Sequence, residues 1–358
     1  MTEFTAIEHP NPTPQEKITE ALANPGFGTQ FTDHMVTVEW TEDGGWQNAK
    51  VEPYGPISLD PAASVLHYAS EIFEGMKAYR HSDGSIYTFR PEQNAARFNR
   101  SAKRMALPEI PEDLFVQSLE QLLAKDKAWV PGGEGESLYL RPYSFATEAF
   151  LGVRPSKEVR YMVIASPAGN FFGGELKPVK IWVSRDYVRA APGGTGAAKT
   201  GGNYAGSLVA QEQAAANGCQ QVLFLDPLHE NSVEELGGMN VFLVTNDGRV
   251  LTPELTGTIL EGVTRSALIQ LAKDRGLTVE ERRITLDEWA AGAADGTITE
   301  AFACGTAAAV TPIGELLDGD KTISHTGDYS TTLALREELL GIQTGKVEDR
   351  HGWLHKLA

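Results

Sequence analysis

Cysteine is scarce in this chain: among 358 residues there are two, Cys219 and Cys304, far apart and without C-x-x-C spacing. Neither a metal site nor a redox pair is indicated, and two buried, reduced thiols are expected. Basic charge is also in short supply. Lysine and arginine number 31 against 48 acids, a formal net charge of −17, which argues against a nucleic-acid surface because polyanion binding needs a basic patch. No apolar run reaches the roughly 18 residues a membrane helix requires. Residues 1–10 lack the basic start and apolar core of a signal peptide, so the expected location is the cytoplasm. With 41% hydrophobic residues and this length, two domains with substantial cores are expected.

Glycine, by contrast, is concentrated around one amine. Lys199 lies in Gly193-Gly194-Thr195-Gly196-Ala197-Ala198-Lys199-Thr200-Gly201-Gly202-Asn203-Tyr204, where the glycines let the backbone approach a ligand and present the lysine rather than pack it. A phosphate-binding P-loop, G-x-x-x-x-G-K-[ST], matches residues 193–200 except at Ala198. Val222-Leu223-Phe224-Leu225-Asp226 even imitates the strand and magnesium-holding aspartate of such nucleotide hydrolases. Yet a P-loop leads straight into a helix, and Gly201-Gly202-Asn203 is unfavourable inside one. The alternative is a lysine that forms a Schiff base with pyridoxal phosphate, which further requires an acid for the pyridine nitrogen and donors for the phosphate.

Candidates for each part are present. Glu234 and Glu235 precede Gly237-Gly238 and an apolar strand. Strand alternation sends them to opposite faces, so at most one enters a site and the other is expected to be solvated; residue pattern does not choose between them. Gly262-Val263-Thr264-Arg265 opens a helix predicted to start near Thr264, with amides and a hydroxyl at its mouth. Cys304-Gly305-Thr306-Ala307 offers a second small-residue turn suited to a phosphate or a carboxylate. A helix following Pro91 places Arg97, Arg100 and Arg104 on one face, most of it a solvated stripe from which one base can turn inward.

Phe73-Glu74-Gly75-Met76-Lys77-Ala78-Tyr79, Tyr139-Leu140-Arg141-Pro142, Lys199 with Gly201-Gly202-Asn203-Tyr204, Glu235-Leu236-Gly237-Gly238-Met239-Asn240, Gly262-Val263-Thr264-Arg265 and Gly305-Thr306-Ala307 occur in order. Together they resemble the branched-chain aminotransferases, in their bacterial, longer-chain branch. The resemblance runs from about Phe27 to His351-Gly352-Trp353. It implies a pyridoxal-phosphate enzyme of fold type IV, like D-amino acid aminotransferase: an α/β (α+β) two-domain protein with a smaller N-terminal and a larger C-terminal domain. It implies Lys199 as the Schiff-base lysine, Glu235 at the pyridine nitrogen and Tyr204 at the ring oxygen. Arg97, Val263, Thr264 and Thr306 would hold the phosphate. Phe27, Tyr68, Phe73, Tyr139 and Arg141 would line the substrate side, with Gly238, Thr306 and Ala307 near the substrate carboxylate. Val153 would reach the pocket of a second subunit, so a homodimer is implied.

The activity so implied is transamination of leucine, isoleucine and valine with 2-oxoglutarate, with ping-pong kinetics and no metal. D-amino acid aminotransferase and aminodeoxychorismate lyase resemble the same framework and share the lysine and glutamate; the substrate-side motifs match the branched-chain pattern better. Along the chain, strands are predicted near 36–40 and 77–89, with helices near 94–105 and 114–128, in a first domain over 1–165. The aperiodic stretch 166–178 reads as an interdomain loop. The second domain, 179–358, begins with a strand at 179–183 and carries helices near 204–217, 264–275 and 329–341. Its residues 241–251 read as a hairpin closed by Asp247-Gly248.

Overall fold

The structure, a computed structural model, describes residues 3–169, 176–229, 231–325 and 327–358. The chain divides into two compact units: Met1–Gly173, Ala198–Gly201 and Ile342–Ala358 make the first, and Gly174–Ala197 with Gly202–Gly341 the second. Of the expected loop 166–178, residues 170–175 lie outside the described residues. Residues 166–168 continue a strand, because Ser166, Pro167 and Ala168 pair with Tyr139, Leu138 and Ser137.

The first unit contains β1 (Thr5–Ala6), α1 (Gln15–Ala23), β2 (His34–Thr41), β3 (Gly45–Pro53), α2 (Val65–Tyr68), β4 (Glu71–Phe73), β5 (Met76–Arg80) and β6 (Ile86–Phe89). It continues with α3 (Pro91–Arg104), α4 (Glu112–Asp126), β7 (Ser137–Ala146) and β8 (Glu158–Ala168). The sheet runs β1-β3-β2-β8-β7-β5-β6 and ends on the C-terminal strand Leu354–Lys356, while β4 also pairs with β7. Helix α3 starts with Pro91, whose fixed φ suits a first helical position. Its buried Asn94, Ala95, Arg97, Phe98, Ser101 and Ala102 recur at helical spacing and form one inward face. Phe98 meets Phe115 of α4 and Tyr161 of β8, and the three ring centroids lie 5.5–6.0 Å apart. That aromatic cluster fixes how α3 lies on the sheet, and with it the residues that α3 presents at its polar edge.

The second unit contains β9 (Val179–Val183), α5 (Gly201–Ala205, which starts in the first unit), α6 (Leu208–Ala216), β10 (Gln221–Leu225), β11 (Val233–Leu236), β12 (Asn240–Thr245) and β13 (Arg249–Thr252). There follow α7 (Val263–Asp274), β14 (Thr278–Glu281), α8 (Leu286–Asp295), β15 (Ile298–Gly305), β16 (Ala309–Asp318), β17 (Lys321–Ser324) and α9 (Ser330–Gln343, which ends in the first unit). Its sheet is mixed, in the order β11-β10-β9-β16-β15-β12-β13-β14 with β17 on β16. Buried Ile181, Leu223, Leu236, Val241, Leu243, Ile313 and Trp289 fill its core. The hairpin β12–β13 forms as read, with Gly248 at φ 83° supplying the left-handed turn residue. One helix differs from its reading: the segment 204–217 breaks into α5 and α6. Gly206 interrupts it, and Ser207 Oγ donates to the Tyr204 carbonyl at 2.7 Å, taking an acceptor the helix ladder would use.

Candidate active site

In the first unit, the backbone around Lys199 is held at three points. Lys199 N–H donates to Ser101 Oγ of α3 at 2.9 Å, its carbonyl accepts from Phe73 N–H at 2.9 Å, and Gly201 N–H donates to the Glu71 carboxylate of β4. The half-buried lysine carries its Nζ 4.7 Å from the centre of the Phe73 ring. Against the sequence reading, Gly201-Gly202-Asn203 do open a short helix, Gly201–Ala205, whose first N–H is taken up by the Glu71 carboxylate; the P-loop is excluded instead because β9 ends at Val183 and a loop, not a strand, leads into residues 193–198.

Arg97 is the one base of the α3 stripe that turns inward; Arg100 and Arg104 are exposed. Its Nε and Nη2 each reach a Glu74 carboxylate oxygen at 2.7 Å, and Asn94 Nδ2 and Gly75 N–H add bonds of 2.7 and 3.2 Å. Burial by itself would raise the Glu74 pKa, but the Arg97 charge and these hydrogen bonds outweigh it, with Lys199 contributing, and hold the carboxyl below its ordinary value. The sequence reading assigned Glu74 no role. It stood inside a quoted motif, but nothing local said that its partner lies 23 residues ahead.

The substrate-side residues of this unit cluster on β7 and β4. Tyr139 and Arg141 alternate onto one face of β7, and Arg141 Nη2 donates to Tyr139 Oη at 3.1 Å. The Arg141 guanidinium lies 4.8 Å from the Phe73 ring centre and 5.3 Å from that of Tyr139, and the Phe27 ring meets Tyr139 edge-on at 5.2 Å. Gly75 makes this possible, because a Cβ there would sit 2.1 Å from the Tyr139 oxygen. Tyr68 hydroxyl donates to the Leu151 carbonyl at 2.5 Å. Val153 is 87% exposed and is not brought to this cluster by any described contact.

In the second unit both glutamates of β11 are buried, which corrects the expectation that one is solvated. Glu235 has several internal partners that replace water, whereas Glu234 has one and its buried Oε2 has none among the described residues. Glu234 accepts from Thr258 Oγ1, and burial raises its pKa. Glu235 pairs with Arg189 at 2.8 Å, accepts from Leu260 N–H at 2.8 Å, and is met by Asn240 Nδ2 at 3.3 Å. Arg189 was not singled out from sequence; it is 46 residues from its partner, and only its position shortly before the glycine-rich stretch was visible. Asn240 also donates to the Leu260 carbonyl at 3.0 Å, and a Cβ on Gly262 would lie 2.1 Å from its Oδ1. The chain thus enters α7 tightly packed against Asn240, with Gly262 at the cap and Val263 and Thr264 buried in the first turn. The cap, Gly262, supplies no side-chain bond, and the helix starts one residue before the predicted position.

Strand β12 pairs with β15 so that Asn240 faces Cys304, which brings Gly238 and Gly305 to one sheet end, where a Cβ on Gly305 would lie 3.5 Å from the Gly238 carbonyl oxygen. Half-buried Thr306 and Ala307 follow there, and a Cβ on Gly238 would touch the Tyr204 ring at 3.7 Å. Arg336 holds the turn from below by donating to the Ala308 and Val310 carbonyls at 2.9 and 2.6 Å. Tyr204, Gly238, Thr306 and Ala307 are therefore neighbours, as are Glu235 and the start of α7. Cys219 and Cys304 are buried free thiols, and burial pushes Cys304 up to about 12.

The first unit thus carries a presented amine and an inward-turned guanidinium, and the second a buried carboxylate held by its partners beside small-residue turns; each set is chemistry that an enzyme anchoring an aldehyde cofactor on lysine requires. Buried Arg141 Nε and Arg189 Nε lack hydrogen-bond partners among the described residues, so each unit retains a buried donor; with the amine of Lys199 for an aldehyde and buried Glu235 for a pyridine nitrogen, the residues fit a phosphorylated pyridine aldehyde. The chain belongs to the class IV aminotransferase family, which matches residues 71–316. It is an aminotransferase that uses pyridoxal phosphate.

A branched-chain-amino-acid aminotransferase of Mycolicibacterium smegmatis is 57% identical to it over 362 residues, 99% of this chain and 98% of that protein. The crystal structure of the Escherichia coli branched-chain amino acid aminotransferase superposes with a TM-score of 0.74 at 28% identity, covering 90% of this chain and 99% of that one. The branched-chain amino acid aminotransferase from Thermobaculum terrenum, in its PLP-form, gives 0.73 at 25% identity, covering 91% and 98%. These likenesses agree with the fold expected from sequence.

Proposed function

We propose that this enzyme transfers the amino group of leucine, isoleucine and valine to 2-oxoglutarate, forming the branched-chain 2-oxo acids and glutamate. The observation that carries this reading is Arg141: a half-buried guanidinium flanked by the rings of Phe73 and Tyr139 and pairing with no carboxylate among the described residues. Such a wall accepts an aliphatic branch against the rings and a side-chain carboxylate against the guanidinium, as two alternating substrates demand.

When bound, the cofactor supplies an aldehyde that captures amines and a ring that accepts electrons from the bonds of the α-carbon. Lys199 would hold it through its amine and, once freed, would serve as the base that moves the proton of the substrate α-carbon. Glu235 would keep the pyridine nitrogen protonated, and Tyr204 would hydrogen-bond the ring oxygen. Arg97, Val263, Thr264 and Thr306 would hold its phosphate. Phe27, Tyr68, Phe73, Tyr139 and Arg141 shape the side-chain pocket, while Gly238, Thr306 and Ala307 receive the α-carboxylate. Val153, exposed on its loop, serves the pocket of a second copy in a cytoplasmic homodimer. Residues 1–165 and 179–358, joined through 166–178, are proposed as the two domains, with the returns of 198–201 and 342–358 to the first unit. No helix among the described residues is long and apolar enough to cross a membrane.

The purified protein should be yellow, and borohydride should fix the cofactor on Lys199, which peptide mass mapping would locate. A panel of amino donors with 2-oxoglutarate tests specificity. Turnover of leucine, isoleucine and valine supports the reading; turnover of D-alanine without leucine would move the assignment to a D-amino acid aminotransferase.

A further inference from the structure

Glu71 has no part in the roles assigned so far, yet its carboxylate meets the chain two residues beyond Lys199. It accepts from Gly201 N–H and, at 3.4 Å, from Thr200 Oγ1. Gly201 cannot be replaced without displacing it, since a Cβ there would lie 2.5 Å from Glu71 Oε1. Glu71 is the second residue before Phe73, whose N–H holds the Lys199 carbonyl and whose ring lies beneath Lys199 Nζ. Strand β4 therefore grips the lysine segment at two places along its length, and Ser101 of α3 grips it from the amide side.

We propose that Glu71 is a positioning residue for Lys199: its carboxylate fixes the backbone after the lysine, so that the amine swings about side-chain torsions while its Cα stays in place. This rests on the assignment of Lys199 as the cofactor-bearing lysine. The physical requirement is strict, because one amine must leave a bond and then deliver a proton to a defined carbon, and a shift of ~1 Å in a reacting group costs up to ~100-fold in rate. A carboxylate suits the task because a hydrogen bond from an amide to an ionised acceptor is stronger than one to a neutral oxygen. Burial raises the Glu71 pKa, with the bonds from Gly201 and Thr200 and the charge of Arg141 opposing it; this acid has been taken partly out of water in exchange for those bonds.

The test compares Glu71→Ala with Glu71→Gln, which keeps an acceptor oxygen, in the holoenzyme and in apoprotein reloaded with pyridoxal phosphate. Glu71→Ala should lower kcat for leucine ~10- to 100-fold with KM changed less than about twofold. It should also slow covalent capture of the cofactor by the apoprotein and speed hydrogen exchange of the Gly201 amide. Glu71→Gln should recover most of each loss. Unchanged kcat and capture rate in Glu71→Ala, or a glutamine variant as impaired as the alanine one, overturns the proposal. So does a Gly201 amide that exchanges freely in the wild-type protein, a measurement that stands even if the alanine variant does not fold. If the wild type neither captures the cofactor nor transaminates, the functional reading falls, while exchange at Gly201 still reports on the Glu71 contact.

Discussion

Replacing Glu74 by glutamine removes one charge and almost no volume, yet it should destabilise the protein by about 3–5 kcal/mol. Glu74 is fully buried and Arg97 nearly so. The carboxylate accepts four hydrogen bonds, two from Arg97 at 2.7 Å, one from Asn94 at 2.7 Å and one from Gly75 at 3.2 Å. An amide can satisfy only part of that set, because its nitrogen would face a donor, and the guanidinium charge would be left in a medium that solvates it poorly. Since the folded Glu74 pKa is lowered, its contribution is fully present above the unfolded carboxyl value of ~4.3 and is lost as pH falls through the folded value. Urea unfolding of both proteins at pH 7 measures the loss, and repeating it below pH 4 should narrow the difference. Cofactor binding supplies the functional readout. If the fork aims Arg97 at the phosphate, Glu74→Gln should weaken pyridoxal phosphate more than phosphate-free pyridoxal. A variant within about 1 kcal/mol of wild type, or one that weakens both ligands equally, would refute the reasoning.

Glu235→Gln should retain cofactor but lose turnover ~100-fold, while Glu234→Gln, which replaces a carboxyl whose pKa is already raised, should lose little; steady-state assays showing the reverse would transfer the role to Glu234. Lys199→Ala should abolish transamination, and residual turnover at the wild-type rate would remove Lys199 from the mechanism. His325 accepts from Trp289 Nε1–H at 2.7 Å, and burial pushes it down to about 4, with Glu300 opposing. Its stabilisation is present above ~6.5 and declines as pH falls, by about 2 kcal/mol at pH 5. His325→Gln should therefore show a shallower loss of stability between pH 7 and 5 in denaturant titrations, and parallel curves for the two proteins would rule out this histidine as the cause.

Periodicity read the secondary structure well where one element settles its own fate. The inward face of α3, the Asp247-Gly248 hairpin and the strand Val179–Val183 all follow from local pattern, since a helix or hairpin is chosen over a few residues. The helix read over 204–217 failed at Gly206 and Ser207, where a side chain competes for a backbone carbonyl. The solvated glutamate failed for a different reason. Alternation correctly sent Glu234 and Glu235 to opposite faces, but both faces turned out to be covered, and coverage is a property of neighbouring segments.

Local pattern supplied the inventory: one presented lysine, a paired acid motif, small-residue turns, and the family those motifs resemble. The pairings came from packing between distant segments. Glu74 with Arg97, Arg189 with Glu235, and Glu71 with Gly201 join residues 23, 46 and 130 positions apart. No local preference encodes such separations. A buried charge must find a partner within about 3 Å or lose several kcal/mol, and which partner is within reach is known only once the strands and helices have packed.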